Sequence, residues 1–133
     1  MSYIPKYILK RMFPKDAVKK VEGGGVEITM VNVISPLSVD EVPEDVENYI
    51  DGAIDGKAID KAAMKEKLRF TVNDEKTFTY ANAQEFAGYV IPVGGKIKIF
   101  LPVTDIEAGE EHEFEIKIAT DNPFELSFKR TVV

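Results

Sequence analysis

An antiparallel β-sandwich is the fold class this sequence predicts, and three observations carry it. Residues 93–101, 113–119 and 124–132 alternate apolar and polar side chains with period two, the mark of strands with one buried face. Turn residues separate about eight such short segments at intervals of roughly 8 to 12 residues. The polar connection 104–112 is too long for a tight hairpin and suits a link between two sheets. The expected architecture is Greek-key and immunoglobulin-like in outline, a single domain over residues 1–133 with a short N-terminal helix.

Residues 4–13 predict that helix. Pro5 suits its first position, Pro14 closes it, and Ile4, Ile8, Leu9, Met12 and Phe13 share one stripe from which Lys6, Lys10 and Arg11 are excluded. About ten residues make a helix marginal alone, so it must dock on something. Residues 17–21 and 26–33 flank Glu22-Gly23-Gly24-Gly25, which predicts a hairpin with Val26, Ile28 and Met30 facing inward. The glycines do not form a phosphate loop, because the Lys-Ser/Thr pair and the following helix are missing. Pro36 then marks a loop or crossing.

Residues 42–59 carry two conflicting signals. Val42, Val46, Tyr49, Ile50, Ala53 and Ile54 fit a helical stripe, whereas Asp55-Gly56 signals a hairpin. Gly52 and Gly56 would each cost a helix interior about 1 kcal/mol, so a strand over 46–54 and a turn at Asp55-Gly56 are expected. Asp60 predicts the cap of a short helix through Lys67, with Met64 and Leu68 inside.

A strand over 68–72, a turn at Asn73-Asp74-Glu75-Lys76 and a strand over 77–80 form the next hairpin, with Phe78 and Tyr80 on one face. A loop at 82–88 precedes a strand at 89–92, broken by Val93-Gly94-Gly95. Ile97, Ile99 and Leu101 are then expected inside, with Lys96, Lys98 and Phe100 outside. Phe114, Ile116 and Ile118 form the next inner row. After a turn at Asp121-Asn122-Pro123, Phe124, Leu126 and Phe128 form the last. The apolar end Thr131-Val132-Val133 reads as an edge strand able to pair with another copy, limited by Lys129 and Arg130.

Composition narrows the function classes. The chain is 44% apolar and 30% charged, an ordinary globular balance, and long enough to bury roughly two thirds of its unfolded surface. With no cysteine it forms no disulfide, thiolate zinc site, iron–sulfur cluster or thiol nucleophile. The longest charge-free run, Ile28 to Val39, is too short and polar to span a bilayer, and Lys6, Lys10 and Arg11 interrupt any signal-like run. A cytoplasmic location is therefore expected. One glutamine, one histidine and Lys far in excess of Arg point to a thermophile source.

The formal net charge of −6 is unevenly placed: residues 1–20 set six cations against Asp16, and residues 40–60 hold eight acids against Lys57. An acidic body disfavours a nucleic-acid surface.

Candidate chemistry is sparse. His112, the single histidine, lies between Glu111 and Glu113, and no Gly-x-Ser-x-Gly elbow accompanies it, so it reads as a surface histidine. Asp51, Asp55 and Asp60 invite a calcium reading, but position three of that template falls on Ala53 and position twelve on Ala62. Asp40, Glu41, Glu44 and Asp45 would add ligands only if folding brought them near. Glu113 and Glu115 share a polar strand face with Lys117, which keeps both ionised.

The expected function is a non-enzymatic binding or protein-interaction module that self-associates, without a cofactor and without a membrane span. Its expected contacts are Tyr3, Tyr7, Lys10 and Arg11 in the basic N-terminal segment and the outward Phe100. The alternative is a small enzyme or divalent-metal protein using carboxylates of residues 40–60, chiefly Asp51, Asp55 and Asp60.

Overall fold

Period-two burial organises the molecule into two antiparallel sheets that share one interior. The computed structural model describes residues 5–38, 42–119 and 124–133, except the side chains of Leu37, Glu47 and Phe124. Tyr3, Ile4, Asp40, Glu41, the turn at 121–123 and the inward direction of Phe124 therefore lie outside the described residues.

Helix α1 spans Lys6–Met12, one residue after Pro5, and Phe13 ends it in extended conformation. The strands are β1 (Val18–Lys20), β2 (Val26–Val31), β3 (Leu37–Ser38), β4 (Ile50–Ile54), β5 (Lys57–Ala58) and β6 (Arg69–Val72). They continue with β7 (Lys76–Phe78), β8 (Val90–Ile91), β9 (Lys96–Leu101), β10 (Glu111–Ile118) and β11 (Phe124–Thr131). Helix α2 occupies Lys61–Lys67, and the Asp60 carboxylate caps it by accepting from the Ala63 N–H at 3.1 Å.

One sheet has the order β1-β2-β9-β6-β7 and the other β11-β10-β4-β5, while β3 and β8 form a small pair. All pairings are antiparallel. The segment between β9 and β10 carries the chain from the first large sheet to the second, as its length predicts. Val26, Ile28, Val72, Phe78, Ile97, Ile99 and Leu101 of the first sheet and Ile54, Phe114, Ile116, Leu126 and Phe128 of the second belong to one buried cluster.

Several expected boundaries move. The strand expected over 46–54 begins at Ile50, because Val46–Asn48 coil into a 3-10 turn closed by the Asn48 N–H donating to the Asp45 carbonyl. Asp55 and Gly56 then adopt positive φ of 53° and 80°, the pair of left-handed residues a two-residue hairpin requires. The strand expected over 77–80 stops at Phe78. Asn82 Oδ1 accepts the Thr79 N–H at 2.6 Å and starts 3-10 turns over Tyr80–Phe86, so Tyr80 leaves the strand row and the expected loop is partly helical.

Helix α1 docks within its own domain by apolar contact. Met12 and Phe13 are fully buried and Ile8 and Leu9 pack against the core, as the stripe predicts. Among the described residues no ion pair joins Lys6, Lys10 or Arg11 to the acids of 42–60. The Arg130 guanidinium secures the helix end instead, donating to the Phe13 carbonyl at 2.6 Å and the Pro14 carbonyl at 3.3 Å.

The apolar chain end also differs from expectation. Val132 is buried. Val133 donates its N–H to the Val18 carbonyl and accepts from the Lys20 N–H, both at 2.9 Å, so the last residues zip the edge of one sheet to the other. Asn32 is the one buried polar side chain among the described residues, and its amide donates to the carbonyls of Ser35, Ile91 and Pro92.

Candidate functional site

The outward face of the five-stranded sheet collects the side chains that alternation keeps out of the core. Register aligns them in cross-strand rows. Glu27, Phe100 and Arg69 stand side by side on β2, β9 and β6, and Thr29, Lys98, Thr71 and Thr77 follow in the next row. The Arg69 guanidinium carbon lies 4.4 Å from the Phe100 ring centroid, a cation–π distance. The same ring packs against Gly25, whose φ is +95° and where a Cβ would come within 2.5 Å of it.

Around this pair the face sinks into an open depression of about 290 Å³ lined by Glu27, Arg69, Thr71, Thr77, Lys98 and Phe100. Thr71 and Thr77 join their hydroxyls at 3.1 Å, and Lys98 reaches Asp74 at 2.7 Å. The hydrogen bond to Asp74 holds the Lys98 ammonium above its ordinary value, and Lys98 holds the Asp74 carboxyl below its own. The depression thus offers a guanidinium fork, an aromatic ring, two hydroxyls and charges of both signs, groups that bind by packing and hydrogen bonding.

A second cluster sits at the rim of the sandwich. His112 is the second residue of β10, on the same side as Phe114, and its ring meets the Phe114 ring edge-on at 6.4 Å. Nδ1 contacts Asp55 Oδ2 at 2.5 Å and Nε2 contacts Glu110 Oε1 at 3.3 Å. The Asp55 hydrogen bond raises the imidazole above its ordinary value, partial burial opposes this, and Glu110 adds to the rise. The Glu113 backbone N–H holds the Asp55 carboxyl low, with His112 second. The Glu107 N–H does the same for Glu110, again with His112 second.

His112 is therefore a half-buried clamp and not the surface histidine expected, with its side chain 17% exposed. Its carboxylate partners come from the β4–β5 turn and the inter-sheet link, not from the adjacent Glu111 and Glu113. They use opposite ring nitrogens, which points the two carboxylates away from any common centre.

The three aspartates of the metal reading have separate tasks. Asp51 pairs with Lys61 at 2.9 Å, Asp55 holds His112, and Asp60 caps α2. Among the described residues no group of three or more His, Cys, Asp or Glu side chains is placed to hold a metal ion. Tyr7, Lys10 and Arg11 lie exposed on α1, with Tyr7 67% exposed, and Tyr3 lies outside the described residues.

Sequence reasoning placed Phe100 on the outward face, as observed, but missed Arg69 beside it, whose approach depends on β6 lying beside β9 across a long sequence gap. It also missed the pairing of Asp55 with His112, although the hairpin signal at Asp55-Gly56 was visible. Among the described residues no helix is long and apolar enough to cross a membrane. No family model matches the chain, and no curated protein matches it either.

Proposed function

We propose that this chain is a non-enzymatic binding module whose contact surface for a protein partner is the outward face of the five-stranded sheet. The observation that carries it is the Arg69 guanidinium stacked on Phe100 within the depression. Arginine and aromatic side chains are enriched among the residues that carry most of the energy of protein contacts. Here register holds the pair in place: both lie on the central strands β6 and β9, so little side-chain freedom remains to be lost on binding. Tyr7, Lys10 and Arg11 provide a second exposed patch on a helix anchored by Met12 and Phe13.

A fragment screen tests this whatever the partner is. Small aromatic and carboxylate fragments titrated into ¹⁵N-labelled protein should shift the amides of Arg69, Lys98 and Phe100, and Arg69→Ala should abolish those shifts. Shifts confined to any other part of the surface, or none at all, would remove this face as the contact surface.

A further inference from the structure

Most charges on the outward face of the five-stranded sheet meet an opposite charge of their own chain. Lys98 pairs with Asp74 at 2.7 Å, Lys96 adds its charge to the same carboxylate, and Glu27 stands opposite Lys19 in the β1–β2 register. Arg69 has no such match. Its register partner is Phe100, β7 ends before reaching it, and among the described residues no carboxylate lies within ion-pair distance of its guanidinium. The face as a whole sets Lys19, Arg69, Lys96 and Lys98 against Glu27 and the turn residue Asp74, a positive balance on a chain of net charge −6.

We infer that the partner of this face is an acidic protein segment, one of whose side-chain carboxylates seats on the Arg69 fork. The inference rests on the reading of that face as the contact surface and adds the chemistry it recognises. A guanidinium offers paired, parallel N–H groups that match the two oxygens of a carboxylate. The Phe100 ring, backed by Gly25, lies 4.4 Å from the guanidinium carbon and holds the fork, while no acceptor among the described residues engages its donors. Less side-chain freedom is then left to lose when a carboxylate arrives. Thr71 and Thr77 add to the site: one hydroxyl donates to the other at 3.1 Å, so the second keeps its own hydrogen for a ligand oxygen.

Two features favour a protein segment over other anions. The depression of about 290 Å³ is open, so a small free acid would stay largely in water, whereas a larger partner covers the site as it binds. Glu27 lines the same depression and Arg69 already covers the Phe100 ring, which leaves a phosphate backbone facing a fixed negative charge and a base with no ring to stack on. Glu27 instead sets the partner's polarity. Its acid belongs on the β6 side of Phe100, and a neutral or basic residue on the β2 side.

Peptide titration followed by nuclear magnetic resonance tests this. A blocked peptide of alternating glutamate and serine should shift the Arg69 Nε–H and Phe100 signals, with affinity falling as salt rises, and its glutamine counterpart should bind about tenfold more weakly. Arg69→Lys keeps the charge but loses the fork and should weaken the glutamate peptide by about tenfold, while Glu27→Gln removes the opposing charge and should tighten it by about twofold. Loss of folding cannot produce a tightening. Equal binding of the two peptides at this face would overturn the carboxylate inference and leave the contact surface standing, as would fragment shifts here without binding of the glutamate peptide. No shift by any probe would remove both. Glutarate binding as tightly as the glutamate peptide, or a thymidine oligonucleotide binding more tightly, would likewise overturn the acidic-segment inference.

Discussion

The ring of Phe13 lies on that of Phe128 with centroids 3.8 Å apart and planes inclined by 13°. Phe128 in turn faces Phe114 at 5.6 Å, so the residue that ends α1 becomes part of the aromatic centre of the second sheet. The apolar stripe of α1 is thereby anchored in the core.

Phe13→Ala should accordingly destabilise the protein by about 3–5 kcal/mol, the range for removing a buried aromatic ring. Urea denaturation followed by far-ultraviolet circular dichroism measures this. A loss below about 1 kcal/mol, the range of an ordinary surface change, would mean that the helix does not depend on this contact.

Gly25→Ala and Gly56→Ala separate backbone strain from steric conflict. Both glycines have positive φ, but a Cβ at Gly56 meets open space, whereas one at Gly25 would stand 2.5 Å from the Phe100 ring and 2.9 Å from the Leu101 carbonyl. The change at 56 should cost about 1 kcal/mol and that at 25 clearly more. Thermal unfolding of the two variants side by side gives the ranking, and equal losses would contradict it.

Asn32→Ala strips donors from the Ser35, Ile91 and Pro92 carbonyls in a buried site, with an expected loss of about 1–3 kcal/mol. Amide exchange should rise first at residue 32 and Gly94, because the N–H of residue 32 donates to the Gly95 carbonyl and the Gly94 N–H donates to the carbonyl of residue 32. Unchanged exchange there would show that the amide does not pin this crossing.

The His112 clamp sets a pH dependence of stability with a definite sign. Its imidazole is raised above 6.5 in the folded protein, so its contribution is complete below that value and fades as pH rises through the raised one. Asp55 and Glu110 are lowered from 3.8 and 4.5, so theirs is present above those values and fades as pH falls through the lowered ones. Arg130 across the strand pair and Lys57 beyond the turn add positive charge nearby. The clamp is therefore strongest between about 4.5 and 6.5. Asp55→Asn should lower the melting temperature most within that window and less on its alkaline side, and a pH-independent difference would refute the linkage.

Much of the architecture was legible because burial on one face of a strand repeats every second residue. Ile97, Ile99, Leu101, Phe114 and Ile116 announced their row independently of any neighbouring strand, and a slip of one residue would have turned them all to solvent. The cap at Asp60 and the turn at Asp55-Gly56 were equally local, as was the apolar stripe ending in Met12 and Phe13.

Register between distant strands has no such signal. That Arg69 covers Phe100, or that Asp55 meets His112, follows from β6 lying beside β9 and β4 beside β10, and nothing in the local pattern of 69 or 112 specifies those neighbours. The 42–59 segment was ambiguous for the opposite reason, since local signals conflicted until Gly52 could be seen against Ile59, where a Cβ would stand 3.1 Å away.

The bonds between Val133 and the Val18–Lys20 strand tie positions near opposite ends of the polypeptide. A contact spanning that much chain demands a large loss of loop freedom before it returns any energy, which slows the folding of topologies rich in such contacts. Closure of this seam is thus expected to be a late kinetic event. Pulse-labelled exchange would date it by protection of the Val133 amide after that of Phe114, and the reverse order would place the seam in the folding nucleus.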